Sequence, residues 1–457
     1  MKKQISTDNI SLRSLTPPLI LEQILRTTVG VVNAAFLSYI SRSAVTAVNV
    51  SNQYIMLCQI IATAVATGMI VCLNQSIGMN NKRNINKYST VAFLANALLG
   101  LLFGLVFFFL SESFLSIMTF ETAEIRNMAI TYMRVVGSSL VIQCVQIVLN
   151  NINRSVGLTK APLVSNCIIN GTNILGCYLV IKGHLFGGFD PIFGVAVCNV
   201  FAQFCGLIFA LLVMRTTTVR ISLEAITPFP WRDVKLALSI VIPAGINNIS
   251  YSLSQIITSS IISQTSQLMF DAKSYITSVI DYVALIGMAF AQAATILIGN
   301  KIGAGDFDDA HKICNRVTRI AVFSNIGCSV GLLFTYKWIL GWVYSSSEGI
   351  DSIIEIAGII ILIDIVVEIG RALNNSLAGA LQAVGDMNFQ LIVNQSSGWV
   401  IAVGGAYLFG IVMGWELYGI WMAFALDEYF RGSMLLYRWH SRKWEAKARM
   451  RTKTIAG

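Results

Sequence analysis

The chain has 457 residues, 55% of them hydrophobic and 12% charged, with a formal net charge of +9 and a mean hydropathy of +0.69. A soluble domain carries about 25% charged residues, so this composition excludes an ordinary soluble globular protein. Apolar residues fall in runs of about 20, the length that crosses a hydrocarbon core as a helix.

The first run, 15–40, is too long for a cleavable signal peptide and contains Glu22 and Arg26, so it reads as the first span of the mature protein. Further spans are predicted at 44–73, 88–110, 127–148, 161–181, 192–214, 235–262, 273–298, 315–340, 351–380, 388–410 and 415–437. That makes twelve. The polar stretch 215–234 carries Pro228 and Pro230 and reads as a cytoplasmic linker. It separates an N-terminal six-helix lobe (1–214) from a C-terminal six-helix lobe (235–437), and a basic cytoplasmic tail (438–457) follows.

The two lobes repeat one another. Pro18 recurs as Pro243, and Gln75-Ser76-Ile77-Gly78 recurs as Asn300-Lys301-Ile302-Gly303, both 225 residues later. Val156-Gly157 with Asn166 matches Val384-Gly385 with Asn394 at an offset of 228. Six helices separate each residue from its partner, so both copies cross the membrane in the same sense. The expected fold is an all-α polytopic membrane protein, with twelve transmembrane helices in two six-helix lobes related by a pseudo-two-fold along the membrane normal. Duplicated membrane modules of this kind point to transporters.

The basic balance follows topology. With the N-terminus inside, inner segments and the tail hold twenty-three Lys and Arg against five in the outer loops (Arg42, Arg126, Lys182, Lys273 and Lys337), a positive-inside bias. Both termini are then cytoplasmic in the plasma or inner membrane. The charge argues for contact with anionic lipid and against nucleic acid. The expected partners are the bilayer and a small-molecule substrate, with the protein acting as a monomer. GAGD at 303–306 is a turn, not a phosphate loop, because GxxxxGK[ST] is absent. The nine cysteines lie mostly inside spans without metal spacing, and read as small apolar fillers. His184, His311 and His440 sit in or near loops without companions, so no metal site is expected. Trp338, Trp342, Trp415, Trp421, Trp439 and Trp444 lie near span ends, where tryptophan anchors helices at the interface.

Charge inside spans is expensive and needs a reason. At 100° per residue, Asp364, Glu368, Arg371, Asn375 and Gln382 fall within an arc of about 60° on the tenth span. Glu368 and Arg371 can pair as i,i+3 neighbours, leaving Asp364 as the free carboxylate. Glu22, Arg26 and Asn33 share a face of the first span, with Glu22–Arg26 an i,i+4 pair. Asn247, Tyr251, Ser254 and Thr258 form a stripe on the seventh span, and Thr277, Asp281, Met288, Gln292 and Thr295 another on the eighth. Such stripes line bundle interiors or a water-filled cavity. The two ion pairs are as consistent with helix packing as with function. Asp364 and Asp281, without a local cation, favour a functional role: a desolvated carboxylate can take up a proton or bind sodium.

Several segments resemble the multidrug and toxic compound extrusion family of antiporters: PPLILEQILRTTVGVVNAAFLSYIS (17–41), IPAGINNISYSLSQ (242–255), ILIGNKIGAGDFDDAHK (296–312), EIGRALNNSLAGALQAVGDMNF (368–389) and LYGIWMAFALDEYFRGSMLLYRWHSRKW (417–444). The resemblance covers nearly the whole chain in order. It implies two lobes around a central cleft and export of small organic, often cationic or amphipathic compounds in exchange for H+ or Na+. No cofactor beyond that coupling ion is implied. Two positions depart from the family pattern: Asn33 stands where many members carry an aspartate, and Asn247 where one subgroup has a glutamate. Asparagine cannot titrate, so Asp364, Glu368, Asp281 and Glu22 are the coupling-ion candidates. Arg371, Asn33, Arg26, Asn247, Tyr251, Asn375 and Gln292 are the cavity candidates. A flippase for a lipid-linked precursor and a non-transporting substrate sensor stay open as alternatives. The flippase would want more embedded cations than Arg26, Arg134, Arg371 and Arg431. A membrane-embedded enzyme is not expected, since the chain has neither HExxH nor a convergent cluster of His, Cys or acidic residues.

Overall fold

A computed structural model of the chain describes residues 11–116, 120, 122–183, 190–227, 230–343 and 350–456. His184 and Pro228 lie outside the described residues. Fourteen α-helices account for the described chain: α1 Leu12–Ser38, α2 Arg42–Gly78, α3 Lys82–Leu115, α4 Ala123–Ser138, α5 Leu140–Ser155, α6 Lys160–Ile181, α7 Pro191–Thr216, α8 Trp231–Ser263, α9 Gln267–Gly303, α10 Phe307–Val343, α11 Ile350–Val384, α12 Met387–Ser397, α13 Glu416–His440 and α14 Trp444–Ala456. By length and composition, eight helical segments can cross a membrane, and the pair α4 and α5, bent by 46°, makes a ninth. The remaining long helices, α1, α11 and α13, are the ones that carry charge clusters.

Short polar residues start many of these helices. Ser11, Ser41, Asn81, Thr122 and Ser266 each accept a hydrogen bond from an amide of the first turn, which satisfies a donor the helix leaves unpaired. The single span predicted at 127–148 is instead broken at Ser139. Ser138 and Ser139 hydroxyls donate to the carbonyls of Val135 and Val136 (2.9 and 2.7 Å), and this local competition with the helix ladder marks the bend. Past Ser397, α12 continues through two π-helical stretches, Gly398–Val403 and Ala406–Val412.

The internal repeat is visible in backbone detail. Asn80 and Gly305, 225 residues apart, both adopt positive φ (54° and 81°). The residues that follow cap the next helices alike: the Asn81 side chain accepts from the Asn84 amide (3.1 Å), and Asp306 from the Asp309 amide (3.0 Å). Gly157 and Gly385, at the 228 offset, share φ near +80° (82° and 77°), a conformation in which a Cβ is strained.

The chain divides into two compact units, residues 1–241 and 242–457. The division falls inside α8, just before Pro243. The first eleven residues of α8 are tied to the first unit, where Lys87 Nζ and Tyr88 Oη donate to Asp233 (2.9 and 2.5 Å). Each unit has its own apolar core, one around Phe107, Met133 and Leu140, the other around Ile276, Ile360 and Trp421. Large apolar side chains also face outward, for example Leu98, Leu101, Leu105 and Phe109 of α3, as a helix solvated by lipid requires.

The basic tail is more than a charged extension. Trp444, Ala448, Arg451 and Ile455 of α14 are buried at helical spacing, and the helix seats on the second unit. Asp386, fully buried in the α11–α12 turn, accepts from Arg438 (2.7 Å) and Lys447 (2.5 Å). Trp439 and Trp444 are not interface anchors. They stack at 4.4 Å with no exposed surface, and Trp444 Nε1 donates to the Trp439 carbonyl (2.9 Å). Trp421 is buried as well, whereas Trp338 and Trp342 are exposed. His311 and His440 do have companions: their rings meet edge to face at 5.3 Å, and His311 stacks on Trp439. All nine cysteines are free.

Candidate functional site

Each unit buries a charged cluster on the helices whose stripes the sequence singled out, and the two differ in sign. In the first unit, Glu22 of α1 is buried between α5 and α6. Arg154 of α5 donates to both of its carboxylate oxygens, through Nη2 to Oε1 and through Nε to Oε2 (3.2 Å for the latter). Asn166 of α6 donates to Oε1 as well (3.1 Å). The expected Glu22–Arg26 pair does not form. A carboxylate one turn below an arginine on one helix meets only a flexible side chain. Arg154 comes from a facing helix and offers two parallel N–H groups in the fork that suits a carboxylate. Arg26 stays exposed on the same face of α1. Further along α1, Asn33 accepts from Asn173 of α6 (2.8 Å).

The second unit gathers acids. Asp364 and Glu368 of α11 and Asp427 and Glu428 of α13 are all buried. Arg371 pairs with Glu368 and stands 3.9 Å from Glu428. Arg431 pairs with Asp427 and lies 3.3 Å from Glu428. Asn325 of α10 donates to Glu368 (2.8 Å), Asn374 of α11 donates to Glu428 (2.9 Å), and the Ser397 hydroxyl donates to Asp427. Asp364 has no cation at ion-pair distance among the described residues; its hydrogen bond comes from Trp421 Nε1 (3.2 Å). Four carboxylates thus share two guanidiniums. The carbonyl oxygens of Asn325 and Asn374 are also buried with no donor. Arg431 Nε is likewise buried with no acceptor. Four carboxylates against two guanidiniums leave the cluster with negative charge in excess, an imbalance that a proton or an oxygen-seeking cation relieves. Among the described residues, no three His, Cys, Asp or Glu side chains are arranged to hold a metal ion.

The remaining sequence candidates are placed as follows. Asp281 of α9 is exposed, with Arg371 and Lys273 as its charged neighbours. Tyr251 of α8 is exposed and faces Arg371, Glu428, Arg431 and Asp281. Asn375 lies over Gly287 of α9, beside Asn325. Asn247 accepts from Asn394 (3.0 Å). Gln292 is half-buried on α9. The structure therefore brings Asp364, Glu368 and Arg371 into one cluster and puts Asp281 and Tyr251 near it, while Glu22, Arg26 and Asn33 belong to the other unit. Sequence reasoning missed Asp427, Glu428, Asn325 and Arg154. The first two had a signal: adjacent acids in an apolar helix, three and four residues before Arg431.

The cluster contacts also follow the repeat. Glu22–Asn166 in the first unit and Asn247–Asn394 in the second join equivalent positions, at offsets of 225 and 228. The MatE family model matches the chain twice, over residues 18–179 and 243–408. The chain belongs to this family, the multidrug and toxic compound extrusion transporters. It is a multi-pass membrane transporter with the twelve-helix, two-lobe MatE fold. It is 31% identical over 449 residues to the uncharacterized transporter YisQ of Bacillus subtilis (strain 168), covering 97% of both chains. It is 22% identical over 450 residues to the probable multidrug resistance protein NorM of Thermotoga maritima, covering 98% of this chain and 95% of that one. Among solved structures, a MOP superfamily transporter from Pyrococcus furiosus superposes with a TM-score of 0.84 at 18% identity. It covers 97% of this chain and 96% of its own. At that identity the superposition speaks for the fold.

Proposed function

We propose that this transporter is a secondary antiporter of the cell membrane. It exports small organic, amphipathic compounds by alternating access in exchange for entering H+ or Na+, with both termini cytoplasmic. The observation that carries the reading is the excess of buried carboxylates in the second unit. Asp364, Glu368, Asp427 and Glu428 outnumber Arg371 and Arg431, and two asparagine carbonyls beside them lack donors. Uncompensated acid in a membrane interior is costly, and binding a coupling ion repays that cost. Binding energy that differs between two conformations is what shifts their balance.

In the proposed cycle, Asp364 receives the ion, because it alone of the four has no bonded guanidinium. Glu368 shares it through Arg371, whose side chain also reaches towards Glu428. Asp281 and Tyr251 line the approach. Asn33 and Asn247, each hydrogen-bonded to another asparagine, hold helices together and carry no titratable charge.

Purified protein in liposomes loaded with a fluorescent amphipathic dye tests the proposal, with imposed proton or sodium gradients driving flux. Asp364→Asn and Glu368→Gln are expected to abolish the gradient dependence. Retention of gradient-driven flux by both variants would remove the helix α11 site from the mechanism.

A further inference from the structure

The first unit carries the opposite imbalance. Both oxygens of Glu22 are engaged, by Arg154 and Asn166, and Arg154 Nη1 is committed to Asn151 (2.6 Å). Arg26 lies one turn beyond Glu22 near the middle of α1. It makes no hydrogen bond or ion pair with any described residue; its charged neighbours are Glu22, already neutralised, and Arg154. A guanidinium at that depth cannot be left to face hydrocarbon, so it faces a polar space.

The facing helix supplies a second unpaired donor, one turn beyond Asn166. α1 and α6 run side by side in the same direction, with Glu22 bonded to Asn166 and, further along both helices, Asn33 bonded to Asn173. Arg26 and Asn170 each lie four residues, about one turn, beyond the Glu22–Asn166 bond on their own helices. The side-chain nitrogen of Asn170 is buried and has no acceptor. Two guanidiniums and one carboxylate leave this cluster with one positive charge in excess, and Arg26 and the Asn170 side-chain nitrogen are donors without a partner.

We propose that the Arg26–Asn170 pair is a substrate subsite for a carboxylate, so that the transported compounds carry an anionic group. This names the substrate class for the transport proposed above and revises the sequence expectation of cationic or amphipathic cargo. Arg26 supplies the charge-assisted hydrogen bonds and Asn170 fixes the carboxylate along α6. Arg154 keeps Glu22 neutralised, so that Glu22 does not repel the incoming group.

The test is equilibrium binding to the full chain in nanodiscs without any gradient, read by probe fluorescence. The probes are N-dansylglycine, its primary amide and N-dansylethylenediamine, which share a fluorophore and carry a carboxylate, no charge and an ammonium. The carboxylate is expected to bind about tenfold tighter than the amide. Arg26→Gln should remove that preference and leave amide affinity unchanged, Arg26→Lys should keep most of it, and Asn170→Leu should weaken carboxylate binding alone. Carboxylate binding by the wild type no tighter than amide binding would overturn the proposal. So would an Arg26→Gln or Asn170→Leu variant that keeps the full preference, or a loss shared by all three probes. Binding without a gradient reads this claim alone, whereas the flux test on Asp364 and Glu368 reads ion coupling.

Discussion

Arg154 and Arg26 lie near the same carboxylate, yet the structure assigns them opposite roles, and their glutamine variants should separate sharply. Glu22 and Arg154 have side chains 7% and 15% exposed, joined by two hydrogen bonds, with a third from Arg154 to Asn151. Removing one partner of such a buried pair strands the other charge and costs about 3–5 kcal/mol. Arg154→Gln should therefore destabilise the protein by about that amount. Adding Glu22→Gln to it removes the stranded charge, and the double variant should return to within about 1–2 kcal/mol of wild type. Arg26→Gln removes an exposed guanidinium with no bonded partner, so it should change stability by no more than about 0.5 kcal/mol. Denaturant unfolding in mixed micelles, followed by tryptophan fluorescence, measures all three. An Arg26→Gln variant as unstable as Arg154→Gln would refute the α1–α5 pairing and favour a pair within α1.

Two further outcomes follow from the second unit. Gly379 lets α11 cross α9 closely: an added Cβ would sit 2.3 Å from the Ala291 carbonyl oxygen, beside the 3.0 Å hydrogen bond from Thr295 Oγ1 to the Gly379 carbonyl. Gly379→Ala should cost about 1–3 kcal/mol in the same unfolding assay, and a neutral result would place the crossing elsewhere. At the α10 start, burial, then Arg442 and His440, hold the His311 imidazole below its ordinary pKa, with Glu445 and Asp308 opposing them more weakly. A histidine with a lowered folded pKa stays neutral in the docked tail while the unfolded chain takes up a proton. Its contribution is then intact above about pH 6.5 and is lost as pH falls through the lower folded value. Protection factors of the α14 amides, corrected for the intrinsic pH dependence of exchange, should fall on acidification below that point in wild type and far less in His311→Gln; an equal fall in both would assign the effect to other groups.

The sequence by itself determined what depends on local periodicity and repetition. Runs of about 20 apolar residues fix helices in lipid because a single segment satisfies its backbone hydrogen bonds within itself only as a helix. The duplication was legible from Pro18 and Pro243 and from the two glycines at positive φ. The polar stripe of α11 was legible because helical geometry alone puts Asp364, Glu368 and Arg371 on one face. Partners were another matter. Glu22 chose Arg154, 132 residues away, over Arg26 four residues away; Asp364 met Trp421, and Trp439 and Trp444 left the interface for the protein interior. Such choices depend on which helix faces which and at what depth. Only the packed structure sets those relations, and it alone revealed one cluster with negative charge in excess and another with positive charge in excess.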